Sequence, residues 1–230
     1  MSGADPTLPS EPSRSVEVEL KFDVDDDTPV PDWTGLPGVA SVGDPELREL
    51  DARYFDSDDL ALSRAGYALR RRTGGPDEGW HIKGPRVGDG RTELHWPLGA
   101  DDVVPDVVAP GDAAWPDVVV PDDVRSAVSA VADAATLSPL ARIRNTRTAY
   151  ALLSPDGGVV AEFVDDRVAA TDARTGMERA WREWEFELGP AAPASGEARV
   201  ALLTAAEAAV HAAGGRAAAS DSKLGRTLGH

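Results

Sequence analysis

The chain has 230 residues, a formal net charge of −17 and no cysteine. One domain of this length buries a sizeable core, and the absent thiol excludes disulfides, thiolate catalysis and cysteine-held zinc. The acid excess argues against nucleic acid as a partner, and no apolar run approaches the roughly 20 residues of a membrane span. A small polyanion in a local basic cavity stays compatible, because fields are screened within about 8 Å.

In chain order, residues 1–14 are rich in Pro, Ser and Gly and are expected to be a disordered tail. They lack the apolar stretch of a signal peptide, so a cytoplasmic location is the default expectation. Strand-like segments follow near 16–24, 51–56, 67–73, 79–84, 91–97, 141–153, 158–166 and 180–188, most of them separated by Gly, Pro or Asp clusters as in antiparallel hairpins. Helices are expected at 44–50, 58–65, 121–135 and 197–213, the last closing on Gly214. Residues 100–121 read as a connection, and the acidic runs at 23–27, 101–106 and 117–123 as solvated loops.

The first strand, VEVELKF (Val16 to Phe22), places Glu17, Glu19 and Lys21 on one face and apolar residues on the other. Carboxylates two residues apart lie roughly 7 Å from each other, a spacing that suits a shared divalent cation. An antiparallel strand with one wet face explains this stretch as well. Near the other end, WREWEFEL repeats the pattern with Glu183, Glu185 and Glu187. Two such strands give either two solvent faces or one acidic cavity lined from both ends of the sequence.

Cations lie between them. Arg70 and Arg72 would share a face, with Arg71 turned outward toward surface acid. Arg91 and Glu93 share another face, where an exposed ion pair is the simpler alternative. Arg142, Arg144 and Arg147 make one strand basic, with Arg142 either facing inward or flanking. Asp165 could orient an arginine, although adjacent aspartates more often mark a turn. Glu162 stays unassigned. Of the 23 basic residues only Lys21, Lys83 and Lys223 are lysine, which suggests sites that want a compact point charge. His81, His95, His211 and His230 show no ligand spacing and read as surface or packing residues; the tryptophans read as core, with Trp80 near a cavity mouth.

Taken in order, the ExExK strand, the Arg53–Arg72 segment RYFDSDDLALSRAGYALRRR, Trp80-x-x-Lys83, the basic strand at Arg144 and Arg147, the late ExExE strand and the terminal SDSKLGRTL resemble the CYTH superfamily, also called triphosphate tunnel metalloenzymes. The resemblance runs from about Val16 to Leu224. It implies an α+β, mainly β fold, in which an eight-stranded antiparallel β-barrel forms a tunnel with helices outside, filling 15–228. In two-domain relatives a helical CHAD domain follows at about this point; the expectation here is the CYTH part alone. The implied activity is metal-dependent hydrolysis of a triphosphate, inorganic tripolyphosphate first, with a class IV-type adenylate cyclase or a non-catalytic polyphosphate-binding module as alternatives. Catalysis would fall to Glu17, Glu19, Lys21, Lys83 and Glu93. The polyanionic substrate would be held by Lys21, Arg70, Arg72, Lys83, Arg91, Arg144, Arg147 and Lys223. Mg2+ or Mn2+ would be held by Glu17, Glu19, Glu183, Glu185, Glu187 and Asp165. The sequence carries no sign of an oligomeric state.

Overall fold

A computed structural model of the chain describes residues 11–99 and 118–230, so most of the tail and of the 100–121 connection lies outside the described residues. Its frame is a single antiparallel sheet: β1 (Ser13–Glu17), β2 (Glu19–Asp23), β3 (Ser41–Val42), β4 (Glu46–Asp56), β5 (Ala68–Thr73), β6 (Gly79–Val87), β7 (Gly90–Pro97), β8 (Ser138–Leu153), β9 (Val159–Asp172), β10 (Glu178–Leu188) and β11 (Arg216–Ala217). The helices are α1 (Ala61–Arg64), α2 (Asp122–Val128), α3 (Gly196–Ala213) and α4 (Lys223–Leu228).

Hydrogen bonds order the sheet β1-β7-β6-β5-β4-β8-β9-β10-β2-β11, with β3 beside β8. The expected barrel is corrected in one respect: this ladder does not close. Its β1 end and β2, next to the last strand, are consecutive in the chain, and the gap falls at Val18, where the N-terminal run leaves β7 and joins β10. Counted as one bent strand, β1 and β2 make eight with the seven other strands longer than two residues. A bend of this kind lets one strand serve two edges of a strongly tilted sheet.

Strand periodicity sorts the side chains. On β10, Trp184 and Phe186 point outward into a buried core that includes Phe22, Phe163 and Trp33 and is covered by Leu202, Ala206 and Val210 of α3. Ser195 caps α3 by accepting from the Ala198 N–H, and Gly214 ends it at φ 105°, a left-handed angle that only glycine adopts without strain. A second outer core joins Phe55, Leu69, Trp80 and Ile82 to Leu62 of α1 and to Val124 and Val128 of α2. Trp80 is 1% exposed within it, so the expectation of a mouth position is corrected. The third core is internal. Ala52, Tyr54, Ile143 and Val168 pack on Leu224 and Leu228 of α4, and Ala52, Tyr54, Ile143 and Leu224 also line the cavity, so this core floors it.

The helix expected at 44–50 is instead the start of β4. Leu47 and Leu50 have helical spacing, but the segment pairs residue by residue with β8 from Glu46↔Ala149 onward. Tertiary pairing overrides the local pattern. Within 58–65 only Ala61–Arg64 is helical, and within 121–135 only Asp122–Val128, followed by a 3-10 turn at Ala134–Thr136. Arg71, expected outside and solvated, faces away from the cavity but is buried.

Candidate functional site

The inward side chains come from register. Lys83 pairs opposite Glu93, Glu185 opposite Lys21, Glu187 opposite Glu19, Asp166 opposite Glu183, and Arg147 opposite Asp166. Alternation on each strand then brings every second residue to one cavity of about 420 Å³. Glu17, Glu19, Lys21, Arg70, Arg72, Lys83, Arg91, Arg147, Glu185, Glu187 and Lys223 line it together.

One bank belongs to β1, β5, β6 and β7. Lys83 reaches Glu17 at 2.5 Å and Glu93 at 3.4 Å, and Arg70 lies 3.7 Å from Glu93. Arg70 also donates to the Tyr54 hydroxyl at 3.5 Å. His81 Nδ1 meets the Glu93 carboxylate, and its Nε2 faces the Asp77 carbonyl at 3.0 Å. Glu17 and Arg72 on this bank, and Glu187 beside it on β10, are displaced from their ordinary values. Burial pushes Glu17 up to about 8, and a hydrogen bond to Glu93 adds to the rise. Burial also raises Glu187, with Glu19, Glu185 and Glu93 adding to it against Lys83. Arg72 is pulled down to about 9 by burial and by the cations of Arg70 and Arg147. His81 falls to about 3, chiefly through burial, so its ring is neutral.

The opposite bank is built by β2, β8, β9, β10 and α4. Arg147 grips Asp166 through two bonds of 2.8 and 2.7 Å and also reaches Glu185 at 2.8 Å. Asp166, Glu183 and Glu185 carry oxygens within 4.8 Å of one another and could hold a metal ion. In this structure the Lys223 ammonium lies among them at 2.9, 2.6 and 2.8 Å. Lys21 binds Glu185 and lies 2.9 Å from Glu19. Burial works against Asp166, yet Lys223 and Arg147 hold its carboxyl below the usual range. Glu185 is likewise held well down by Lys21, Lys223 and Arg147 against burial.

Two expected residues face the outside of the sheet. Arg144 is exposed on the outer face, beside Arg179 and Glu178. It is three residues from Arg147, and an odd spacing on a strand reverses the face. Asp165 also faces out, binding Arg182 at 2.8 Å through each oxygen. Its neighbour Asp166 takes the inward place. Arg142 shares the outer face of Arg144, two residues away, and is held there by Asp51 at 3.0 Å. Glu183 is buried with Lys223. Lys223 reaches the cavity because Ser222 caps α4 by accepting from the Gly225 N–H, starting the helix at the lysine.

Sequence reasoning missed Tyr54, Arg48, His81 and Asp166. Arg48 was hidden by the helix reading; it binds Glu162 through two bonds of 3.1 Å at the cavity wall. His81 shares the face of Lys83 two residues on, which alternation would have shown. Asp166 shares that of Glu162 four residues back, but the choice between Asp165 and Asp166 needs the pairing of β9 with β8.

The CYTH domain family profile matches residues 15–205. An uncharacterised protein of Mycobacterium tuberculosis, in strain H37Rv and identically in strain CDC 1551, is 37% identical over 228 residues, which is 95% of this chain and 41% of the relative. The chain therefore spans less than half the length of these curated relatives. Among solved structures, a candidate adenylate cyclase of Bacillus halodurans superposes with a TM-score of 0.57 at 18% identity, covering 93% of this chain and 97% of the other. A candidate adenylyl cyclase of Hippeastrum with dominant triphosphatase activity gives 0.52 at 16%, covering 93% and 94%. At such identities the two structures speak for the fold.

Proposed function

From a chain that belongs to the CYTH family, we propose an enzyme that binds a triphosphate in this cavity and hydrolyses it, inorganic tripolyphosphate above all, with Mg2+ or Mn2+ as cofactor. The observation that carries the proposal is the placing of Arg70, Arg72 and Lys83 against Glu17, Glu19 and Glu187 in one enclosed space. The first three suit phosphate oxygens, the arginines as bidentate forks and the lysine as a point charge.

The acids fit a hard divalent cation. Glu17 and Glu187 are raised by burial and by neighbouring carboxylates, the condition that a cation relieves. Glu17, Glu19 and Glu187 would hold it, while Glu183 and Glu185 close with Asp166 around the Lys223 ammonium. Bound there, the ion supplies Lewis-acid polarisation of phosphate oxygens and of water. Arg70 and Arg72 bind the phosphoryl oxygens and stabilise charge that builds up on the leaving group. Lys83, held between Glu17 and Glu93, keeps its ammonium aimed into the same space. Tyr54 is the only aromatic ring among the described lining residues. A site made of phosphate contacts selects for phosphate, which favours the bare chain over nucleotides.

The test is product analysis with Mg2+ and with Mn2+ across tripolyphosphate, thiamine triphosphate and ATP. Orthophosphate, released fastest from tripolyphosphate, is the expected result. Cyclic nucleotide with pyrophosphate would replace hydrolysis by cyclisation, and binding without any product would leave a polyphosphate-binding module.

A further inference from the structure

We propose that Asp77, on the turn between β5 and β6, is a built-in competitor for anions: its carboxylate occupies Arg72 in the free protein and must be displaced before a polyanion can use that arginine. This rests on the cavity being a polyanion site and adds a residue that sets its apparent affinity and reach.

Arg72 is buried, and its guanidinium meets Asp77 twice, through the carboxylate and through the backbone carbonyl at 3.3 Å. Among the described residues no other acid lies within ion-pair distance of Arg72, while Arg70 and Arg147 stand near enough to pull it down. Arg72 thus has a single ion-pair partner among the described residues, with a side chain that is 56% exposed, while Glu93 acts on it only from beyond ion-pair distance. The turn does not depend on that side chain. The Asp77 carbonyl also faces His81 Nε2 at 3.0 Å, and the backbone turns through Gly74 and Gly75 at φ +78° and +79°. A Cβ on Gly74 would lie 2.0 Å from the Glu49 carbonyl oxygen, which fixes where the turn passes. Backbone contacts hold the loop, and the carboxylate is left as a charge placed where a ligand phosphoryl group would bind.

When the binding-competent form is only a fraction of the free protein, the measured dissociation constant rises by the inverse of that fraction. A half-exposed ion pair holds the closed form by a factor of about five. Removing the carboxylate should tighten binding by that factor, provided Arg72 is present to use it.

The experiment is calorimetric titration of the full chain with inorganic tripolyphosphate, without divalent metal so that turnover does not interfere. Asp77→Asn and Asp77→Ala should each lower Kd about fivefold. Glu78→Gln removes the same charge from the same turn and should leave Kd within about twofold. In an Arg72→Ala background, Asp77→Asn should change nothing. An unchanged or higher Kd for both Asp77 variants, or equal tightening by Glu78→Gln, would overturn the competitor role while leaving the polyanion site standing. Failure of the unaltered protein to bind tripolyphosphate would overturn the polyanion reading itself, and this inference with it.

Discussion

The two banks of the cavity carry nearly the same kinds of side chain and differ in how their charges are settled. On the β8, β9, β10 and α4 bank the acids around Lys223 have cations against them: Asp166 has Arg147 and Lys223, and Glu185 has Lys21, Arg147 and Lys223. Glu187, farther along β10, is instead raised by burial and belongs with Glu17. The β1 and β5–β7 bank is unbalanced, with Glu17 pushed up to about 8 and Arg72 down to about 9. Balanced charge rigidifies a wall, whereas unbalanced charge marks the place that wants a ligand. The expected site residues therefore divide: Arg147, Lys223, Glu183 and Glu185 form the wall, and Glu17, Glu19, Glu187, Arg70, Arg72 and Lys83 are those proposed to face the guest.

Breaking the wall should have the largest effect. Asp166→Ala leaves Arg147 and Lys223 buried without their main partner and should cost about 3–5 kcal/mol of stability, read by urea unfolding. A cost within about 0.5 kcal/mol would show that the second bank is no wall. At the acids proposed to hold the cation the effect should move from stability to turnover. Glu19→Gln and Glu187→Gln should each lower metal-dependent kcat by about 100-fold or more with the melting temperature nearly kept, since neither side chain serves an apolar core. Ordinary turnover by both variants at saturating metal would remove them from the cation site.

A smaller effect sharpens the contrast through pH. Unfolded Glu17 titrates near 4.5 and folded Glu17 near 8, so between these values the folded state holds the extra proton. Its contribution to stability is complete below 4.5 and is lost as pH rises to 8. Asp166 and Glu185 are lowered and act in the opposite sense below their unfolded values. In the window from about 5 to 8 raised Glu187 adds to the decline, and His81, pulled down to about 3, works against it up to about 6.5. The share of Glu17 is therefore read as the difference between the unaltered protein and Glu17→Gln. Metal-free unfolding across that window should show a decline in stability that Glu17→Gln flattens; identical slopes would mean the bank is not crowded. The smallest effect belongs to the outer face. Arg144→Ala should leave kcat/KM unchanged and stability within about 0.5 kcal/mol, and a clear loss of tripolyphosphate affinity would return that arginine to the cavity.

What the sequence made legible follows from strand periodicity. Glu17, Glu19 and Lys21, and Glu185 with Glu187, alternate strictly, and all of them face the cavity. Arg144 and Asp165 were misplaced because counting along one strand does not tell which parity faces in. Only the pairing of β8 with β9, Arg147 opposite Asp166, decides it. The imbalance between the banks was invisible for a related reason: it depends on α4 bringing Lys223 across to β9 and β10, a contact 57 positions from Asp166 that no local pattern encodes.

The break at Val18 has a consequence in time. The bent strand of β1 and β2 is made well before its later neighbour, since β2 pairs with Glu183–Glu187 of β10. Lys21 and Glu185 are 164 positions apart, so on the ribosome Glu17 and Glu19 wait for their neighbours until β10 has been made. Contacts of such long range close late. Glu17 and Glu19 therefore meet Glu187 only after β10 has emerged, and the half-made chain carries these carboxylates without the cavity around them.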